Sequence, residues 1–291
     1  MDKLRLNWLL VSLLLSGVSA GAEQTQALRQ ADPAETYLRA FRGGDFRQAQ
    51  IVARTALDDG ADPATWWGCL GAAAARADDP EGAVDAVVRA QRLGARLDQD
   101  VLTLYVTALG RIQVYVQART NLDTLARRFP YTPLAARDAR LGVAIDRRLA
   151  EPISGESVTW QIAAASSALA HGRPGLALIH AEEGRLLAHR AGLPWPVAGI
   201  QIRATVLLDL GDPDAAEAAL ADVTDGESAG RIGLLRATAQ LAGGRREAAR
   251  ATLDRLESTA QAGAAKDDGL AANLKELRRI LGPFPTLPRI P

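Results

Sequence analysis

Residues 65–91 read TWWGCLGAAAARADDPEGAVDAVVRAQ. Trp67, Leu70 and Gly71 are spaced i, i+3, i+4, which puts them on one face of a helix, and Ala74 continues that face. Asp78-Asp79-Pro80 reads as a turn, with Pro80 suited to the first turn of the following helix because its ring fixes φ and it has no N–H to leave unpaired. Ala83, Val87 and Ala90 then line a second helix. Two short helices joined this tightly form an antiparallel hairpin.

The same register recurs along the chain. Ala49 lies thirty-four residues before Ala83, and Ala118 lies thirty-five after it. Ala177, Ala216 and Ala248 stand in the same role, each shortly after a turn and early in a second helix. A small residue there lets the partner helix cross closely, and a larger one would overpack the crossing. Recurrence at about this spacing is the signature of a stacked helical array.

The pattern Trp67, Leu70, Gly71, Ala83, Ala90 resembles the tetratricopeptide repeat (TPR) family. The resemblance implies an all-α fold, a right-handed solenoid of antiparallel helix pairs that holds a peptide or partner protein. It is strongest over 64–97 and looser over 30–63, 98–131, 157–193, 197–228 and 229–260. Some features depart from it. Tyr105 stands where the third repeat needs a glycine or alanine, and the turn GRIQVY lacks an acidic residue. Residues 131–156 are too few for a full repeat and fit one helix from Pro133 to Leu149 followed by a loop. Pro152 and Gly155 mark a break, so the solenoid is expected to be interrupted near residue 154. AGLPWPVAG, residues 191–199, is a second irregular joint.

The expected organisation is a signal peptide at 1–22, N-terminal repeats plus an extra helix at 30–149, C-terminal repeats and a capping helix at 157–281, and a proline-rich tail at 282–291. In the capping helix Leu270, Leu274, Leu277 and Leu281 share a stripe, as a terminal repeat requires. The tail PFPTLPRIP cannot be helical and is expected to run extended.

Composition agrees with close-packed helices. Of 291 residues 48% are hydrophobic but only 4% aromatic, so the apolar content is mostly alanine and leucine. The formal net charge of +0 gives no reason to bind nucleic acid. At the start, Lys3 and Arg5 precede an apolar run from Trp8 to Leu15 and small-x-small sites ending at Ala20 and Ala22. This is the order of a secretory signal peptide, cleaved after Ala22 or, as second choice, after Ala20, and the run is short for a membrane span. The expected location is the periplasm, the alternative being an inner-membrane anchor formed by the uncleaved segment. The sole cysteine, Cys69, can form no internal disulfide and reads as a small buried thiol.

Chemistry is not evident. His180 and His189 are nine residues apart and face opposite sides of one helix, and His171 lies in the preceding turn. There is no HExxH spacing, no GxxxxGK[ST] loop and no GxGxxG after a strand. GGDF at 43–46 falls in an interhelical turn rather than in the mixed helix-strand domain that a cyclic-dinucleotide synthase needs. No cofactor and no metal is expected, and the protein is not expected to be an enzyme.

The family's groove positions, carried over by register, include Leu38, Phe41 and Arg42 in the first repeat and Arg76 in the second. Gln99 and Leu102 follow in the third, then Gln161, Gln201, Thr205 and Gln240. These are mostly apolar, small or amide-bearing, which favours an apolar or neutral partner segment over an acidic one. Trp67 takes the buried family position, which turns Trp66 about 100° away from it. Trp66 and Trp195 are added as candidate anchors. The expectation is a non-catalytic scaffold or adaptor in a bacterial envelope assembly: secretion, pilus, polysaccharide export or an outer-membrane complex. The alternative is an accessory regulatory subunit of an envelope enzyme that acts on cell wall or polysaccharide. The partner is an envelope protein, without nucleic acid and without membrane insertion after signal cleavage.

Overall fold

The structure is a computed structural model, and it describes residues 32–130, 135–221, 223, 229–259 and 268–281. Among these there are fourteen helices and no strands. The expected signal peptide and proline-rich tail lie outside the described residues. No helix of the described residues is long and apolar enough to cross a membrane.

The chain divides into two units, one through Ala108 and one from Leu109 onward. The first holds α1 (Pro33–Arg42), α2 (Phe46–Asp58), α3 (Pro63–Arg76), α4 (Pro80–Arg92) and most of α5 (Gln99–Arg111). The second holds α6 (Tyr115–Arg128), α7 (Ala135–Leu149), α8 (Gly155–Ala170), α9 (Pro174–Arg190) and α10 (Val197–Asp209). It continues with α11 (Pro213–Ala219), α12 (Ala229–Ala242), α13 (Arg246–Thr259) and α14 (Asp268–Leu281). The joint expected near residue 154 thus lies inside the second unit, on the loop that follows α7.

A single hairpin device is written into the backbone six times. The N–H groups of Ala49, Ala83, Ala118, Ala177, Ala216 and Ala249 each donate to the carbonyl of the residue four before, closing the first turn of a second helix. The residue four before is Asp45, Asp79, Val114, Arg173, Asp212 or Arg245, and its own N–H reaches back to the preceding helix, as from Asp79 to Ala74 O at 3.0 Å. One residue earlier still, the backbone turns through positive φ at Gly44, Asp78, Gln113, Gly172, Gly211 and Gly244. That left-handed residue lets the chain reverse while its hydrogen bonds satisfy the carbonyls at the helix end.

The register corrects two sequence expectations. In the last hairpin the close-packed alanine is Ala249, fully buried, and not Ala248, which is half-buried. In the third, the residue twelve before the alanine is Val106, not Tyr105. The equivalent series is Tyr37, Gly71, Val106, Ala165, Ala204 and Ala237, all buried. At Gly71 this position meets the second helix closely. A Cβ added to Gly71 would lie 2.7 Å from Val87 Cγ2 and 3.3 Å from the Ala83 carbonyl oxygen, so nothing larger than glycine fits without a shift.

In the first unit the core joins α1, α2 and α3 through Tyr37, Ala49, Val52, Ala53, Trp66 and Leu70. The two tryptophans exchange the roles that spacing assigned. Trp66 is buried edge-on to Tyr37 at 5.9 Å, whereas Trp67 is half-buried under the Arg89 guanidinium at 4.6 Å. The reason is that Tyr37 OH donates to Cys69 O at 2.8 Å, and this seats α1 over the Trp66 side of α3. Cys69 is half-buried, and burial pushes its thiol pKa up.

In the second unit α8, α10, α12 and α14 form one row of neighbours, while α9, α11 and α13 pack between them as their partners. α7, Ala135–Leu149, covers the described part of the single helix expected from Pro133 to Leu149. It packs on α6, and α6 packs on α9, so the insertion leaves those two second-position helices in contact.

Candidate functional site

The row α10, α12, α14 encloses an open groove of about 490 Å³. Gln201 and Thr205 come from α10, Arg231, Leu234, Leu235 and Thr238 from α12, and Asn273, Glu276 and Leu277 from α14. Helical geometry explains the selection. Taking Ala204 and Ala237 as the residues pressed against the second helix, the groove receives the residue three before and the residue one after. These are Gln201 and Thr205 on α10 and Leu234 and Thr238 on α12, each pair one turn apart. The two threonine hydroxyls are partly spent on their own helices, Thr205 Oγ1 on Gln201 O and Thr238 Oγ1 on Leu234 O, both at 2.9 Å. What faces solvent is therefore mostly methyl, leucine and amide surface, with the exposed side chains of Arg231 and of Glu276, the latter paired with Arg279, at its edge.

The walls are held from behind. Arg278 on α14 pairs with Asp254 and with Glu257 of α13, the latter at 3.0 Å. Arg236 Nη2 donates to Leu220 O at 2.7 Å. Leu274 and Leu281 bury against Ala237, Ala249 and Leu253. The side chain of Leu270, the first of the expected leucine stripe, is not among those described.

Gln161 and Gln240, expected beside Gln201, occupy another face. Gln240 is the counterpart of the buried Leu207 and accepts from Thr252 Oγ1 at 2.9 Å while donating to Glu217 at 2.7 Å. Gln161 lies at 3% exposure. It donates from Nε2 to Gln113 O at 3.2 Å and meets His180 Nδ1 at 2.7 Å through Oε1. Since Nε2 is the donor to Gln113, Oε1 is the acceptor and His180 Nδ1 carries the proton. Burial holds the His180 pKa down at about 4, so the ring stays neutral beside the indole of Trp160.

Next to this network Glu183 fills a second role. Val114, the cap residue of α6, has no side chain that can cap the helix. The Glu183 carboxylate of α9 takes over, accepting from Val116 N at 2.8 Å and Gln117 N at 3.1 Å, while Gln117 Nε2 donates to Ile179 O at 2.6 Å. At 1% exposure, burial pushes the Glu183 pKa up to about 7, against the pull of those N–H groups and of Arg190. A cavity of about 390 Å³ borders the network, between Trp160, Tyr115, Leu187 and the loop after α7. Both buried titratable groups are spent on packing. Among the described residues no group of three or more His, Cys, Asp or Glu could hold a metal ion.

The remaining candidates are dispersed. Leu38 is exposed, one residue after Tyr37, the same step that carries Thr205 into the groove. Phe41 is half-buried and stacks on Tyr37 at 5.6 Å, and Arg42 and Arg76 are exposed at helix ends. Gln99 is half-buried, and Leu102 and Trp66 are buried. Trp195 is wedged against two glycines. A Cβ on Gly199 would fall 2.3 Å from its ring, and one on Gly184 3.1 Å. Of the named candidates only Gln201 and Thr205 line the described groove. The Ala248 register places the last repeat one residue off, which hides Leu234 and Thr238; adding thirty-three, the Ala216-to-Ala249 step, to Gln201 and Thr205 finds them, whereas the α14 wall lies outside the repeat pattern.

No protein-family model matches the chain, and no curated protein matches it in sequence. Among solved structures it is similar to the TPR domain of P58(IPK), with 15% identity, 91% of this chain and 68% of that one covered, and a TM-score of 0.34. It is also similar to the TPR2AB-domain:pHSP90 complex of yeast Sti1, at 16% identity over 90% and 99% of the two chains with a TM-score of 0.38. A tetratricopeptide repeat protein from Parabacteroides merdae superposes at 0.33, with 16% identity over 87% and 99%. Superpositions this loose carry no argument, and the assignment of a TPR-like helical repeat rests on the six hairpins themselves.

Proposed function

We propose that the protein is a non-catalytic interaction scaffold whose α10–α12–α14 groove holds an apolar or neutral segment of a partner protein. The observation that carries this reading is the groove itself: an open surface mostly of leucine, threonine methyl and amide groups, with one Arg and one Glu, on helices whose other side packs into a hydrophobic core. Such a surface favours a segment that buries apolar side chains and leaves amides to pair with its backbone. Groove positions without a cluster of basic residues do not favour an acidic terminus.

The setting proposed is a bacterial envelope assembly, with the periplasm as location. What supports it is the signal-like order of residues 1–22, with Lys3 and Arg5 before the apolar run and small residues at Ala20 and Ala22. The test is chemical cross-linking of intact cells that express a tagged copy, followed by identification of what is retained. The reading expects one envelope protein, recovered repeatedly with the wild-type chain and lost with Thr238→Arg. Recovery of the tagged chain alone, under varied solubilisation, would overturn it.

A further inference from the structure

We propose that the chain's own segment 283–291, PFPTLPRIP, occupies the α10–α12–α14 groove as a tethered pseudo-ligand that a partner must displace. The inference rests on the groove being a segment-binding site, as proposed above, and adds its regulation.

Three observations converge on this occupant. In a polyproline helix of about three residues per turn, Phe284, Leu287 and Ile290 fall on one face and Pro285, Pro288 and Pro291 on another. The segment thus carries an unbroken apolar ridge, and its prolines lower the entropy lost on binding. The groove offers an apolar surface to match, with Leu234, Leu235 and Leu277 among amide and threonine groups, and Arg231 and Glu276 beside them. Finally, the wall leads to the segment. On α14 Asn273, Leu277 and Ile280 are spaced i, i+4, i+7, so they share a face, and Ile280 carries that face to the helix end with half of its surface exposed. Leu281 is buried and its carbonyl accepts from Arg250 Nη2 at 3.2 Å, which fixes where the chain leaves the helix.

The reach suffices. From Leu281 back to Asn273 is eight residues of helix, about 12 Å at 1.5 Å per residue. Nine residues in polyproline form span about 28 Å. In the sequence Gly282 stands between helix and segment, and a residue without Cβ can take the turn this occupancy requires.

The test uses a fluorescently labelled synthetic peptide, PFPTLPRIP, titrated against the full chain and against the full chain carrying Phe284→Ser, Leu287→Ser and Ile290→Ser. A tethered segment competes at an effective concentration on the order of millimolar, so the labelled peptide is expected to bind the substituted chain at least about ten-fold more tightly. Adding Thr238→Arg to the substituted chain is expected to abolish that binding. Equal affinity for both chains, no binding to either, or binding that survives Thr238→Arg would each overturn the proposal. A captured partner that binds wild-type and serine-substituted chains equally would also overturn it, while leaving the scaffold function standing.

Discussion

The second unit contains two polar surfaces built from the same residue types and used in opposite ways. At the α6–α8–α9 junction, Gln161, His180 and Glu183 are buried, and each has a partner. In the groove, Gln201, Thr205 and Thr238 stand open on helices whose opposite faces are packed. The difference is angular. On α10 and α12, positions three before and one after the close-packed residue face the groove, whereas Gln161, four before on α8, and Gln240, three after on α12, turn toward packed surfaces. Polar groups in the first set line the open groove, and those in the second hold the stack together.

The comparison predicts where stability and binding separate. The largest effect is expected at Glu183. Glu183→Ala leaves the α6 N–H groups of Val116 and Gln117 buried without an acceptor, and is expected to cost about 3 kcal/mol, read from the midpoint of chemical unfolding. Asp79→Ala is the control for a helix that supplies its own cap, since Asp79 accepts from Gly82 N at 2.9 Å; it is expected to cost only about 1 kcal/mol. Equal costs would break the distinction between a borrowed and a local cap. Gly199→Ala comes between them. Its Cβ would collide with the Trp195 ring, and the expected loss is about 2 kcal/mol.

The junction also has a pH signature. Glu183, raised to about 7, is protonated in the folded state where the unfolded chain has released its proton. Its contribution is fully present below about 4.5 and is lost as pH rises through about 7. His180, lowered to about 4, works the other way. Its contribution is present above about 6.5 and is lost as pH falls through about 4. Between about pH 4.5 and 6.5 the two trends oppose each other, and the wild-type stability contributed by the pair is nearly flat. Glu183→Gln removes the falling trend, so stability should rise with pH across this window in urea unfolding. A variant that stays as flat as wild type would contradict the assignment. The smallest stability effect is expected in the groove, where Thr205→Arg should change unfolding by less than about 0.5 kcal/mol while abolishing partner capture.

Much of the fold was legible because it is local. Alanine recurrence marked the hairpins, and Asp-Pro or Gly-Asp turns marked their corners. Ala248 and Ala249 are not told apart by sequence, because Arg245-Arg246-Glu247 contains no Asp or Pro to mark the cap. Trp66 and Trp67 were interchanged for a different reason: spacing along α3 cannot show where α1 will sit. The Glu183 cap was invisible for the same reason, since sixty-seven residues and an inserted helix separate it from Val116. In the groove, Gln201 and Thr205 followed from register alone. Asn273 and Leu277 belong to a helix outside the repeat pattern, so only the packing of α14 against α12 brings them to the site.

Site-specific photo-cross-linking in cells tests the central claim most directly, with benzoylphenylalanine placed at position 205 in the groove or at position 247 on the exposed side of α13. The account predicts a discrete cross-linked partner from position 205 and none from position 247. The same adducts from both positions, or none from position 205 in a folded chain, would contradict it.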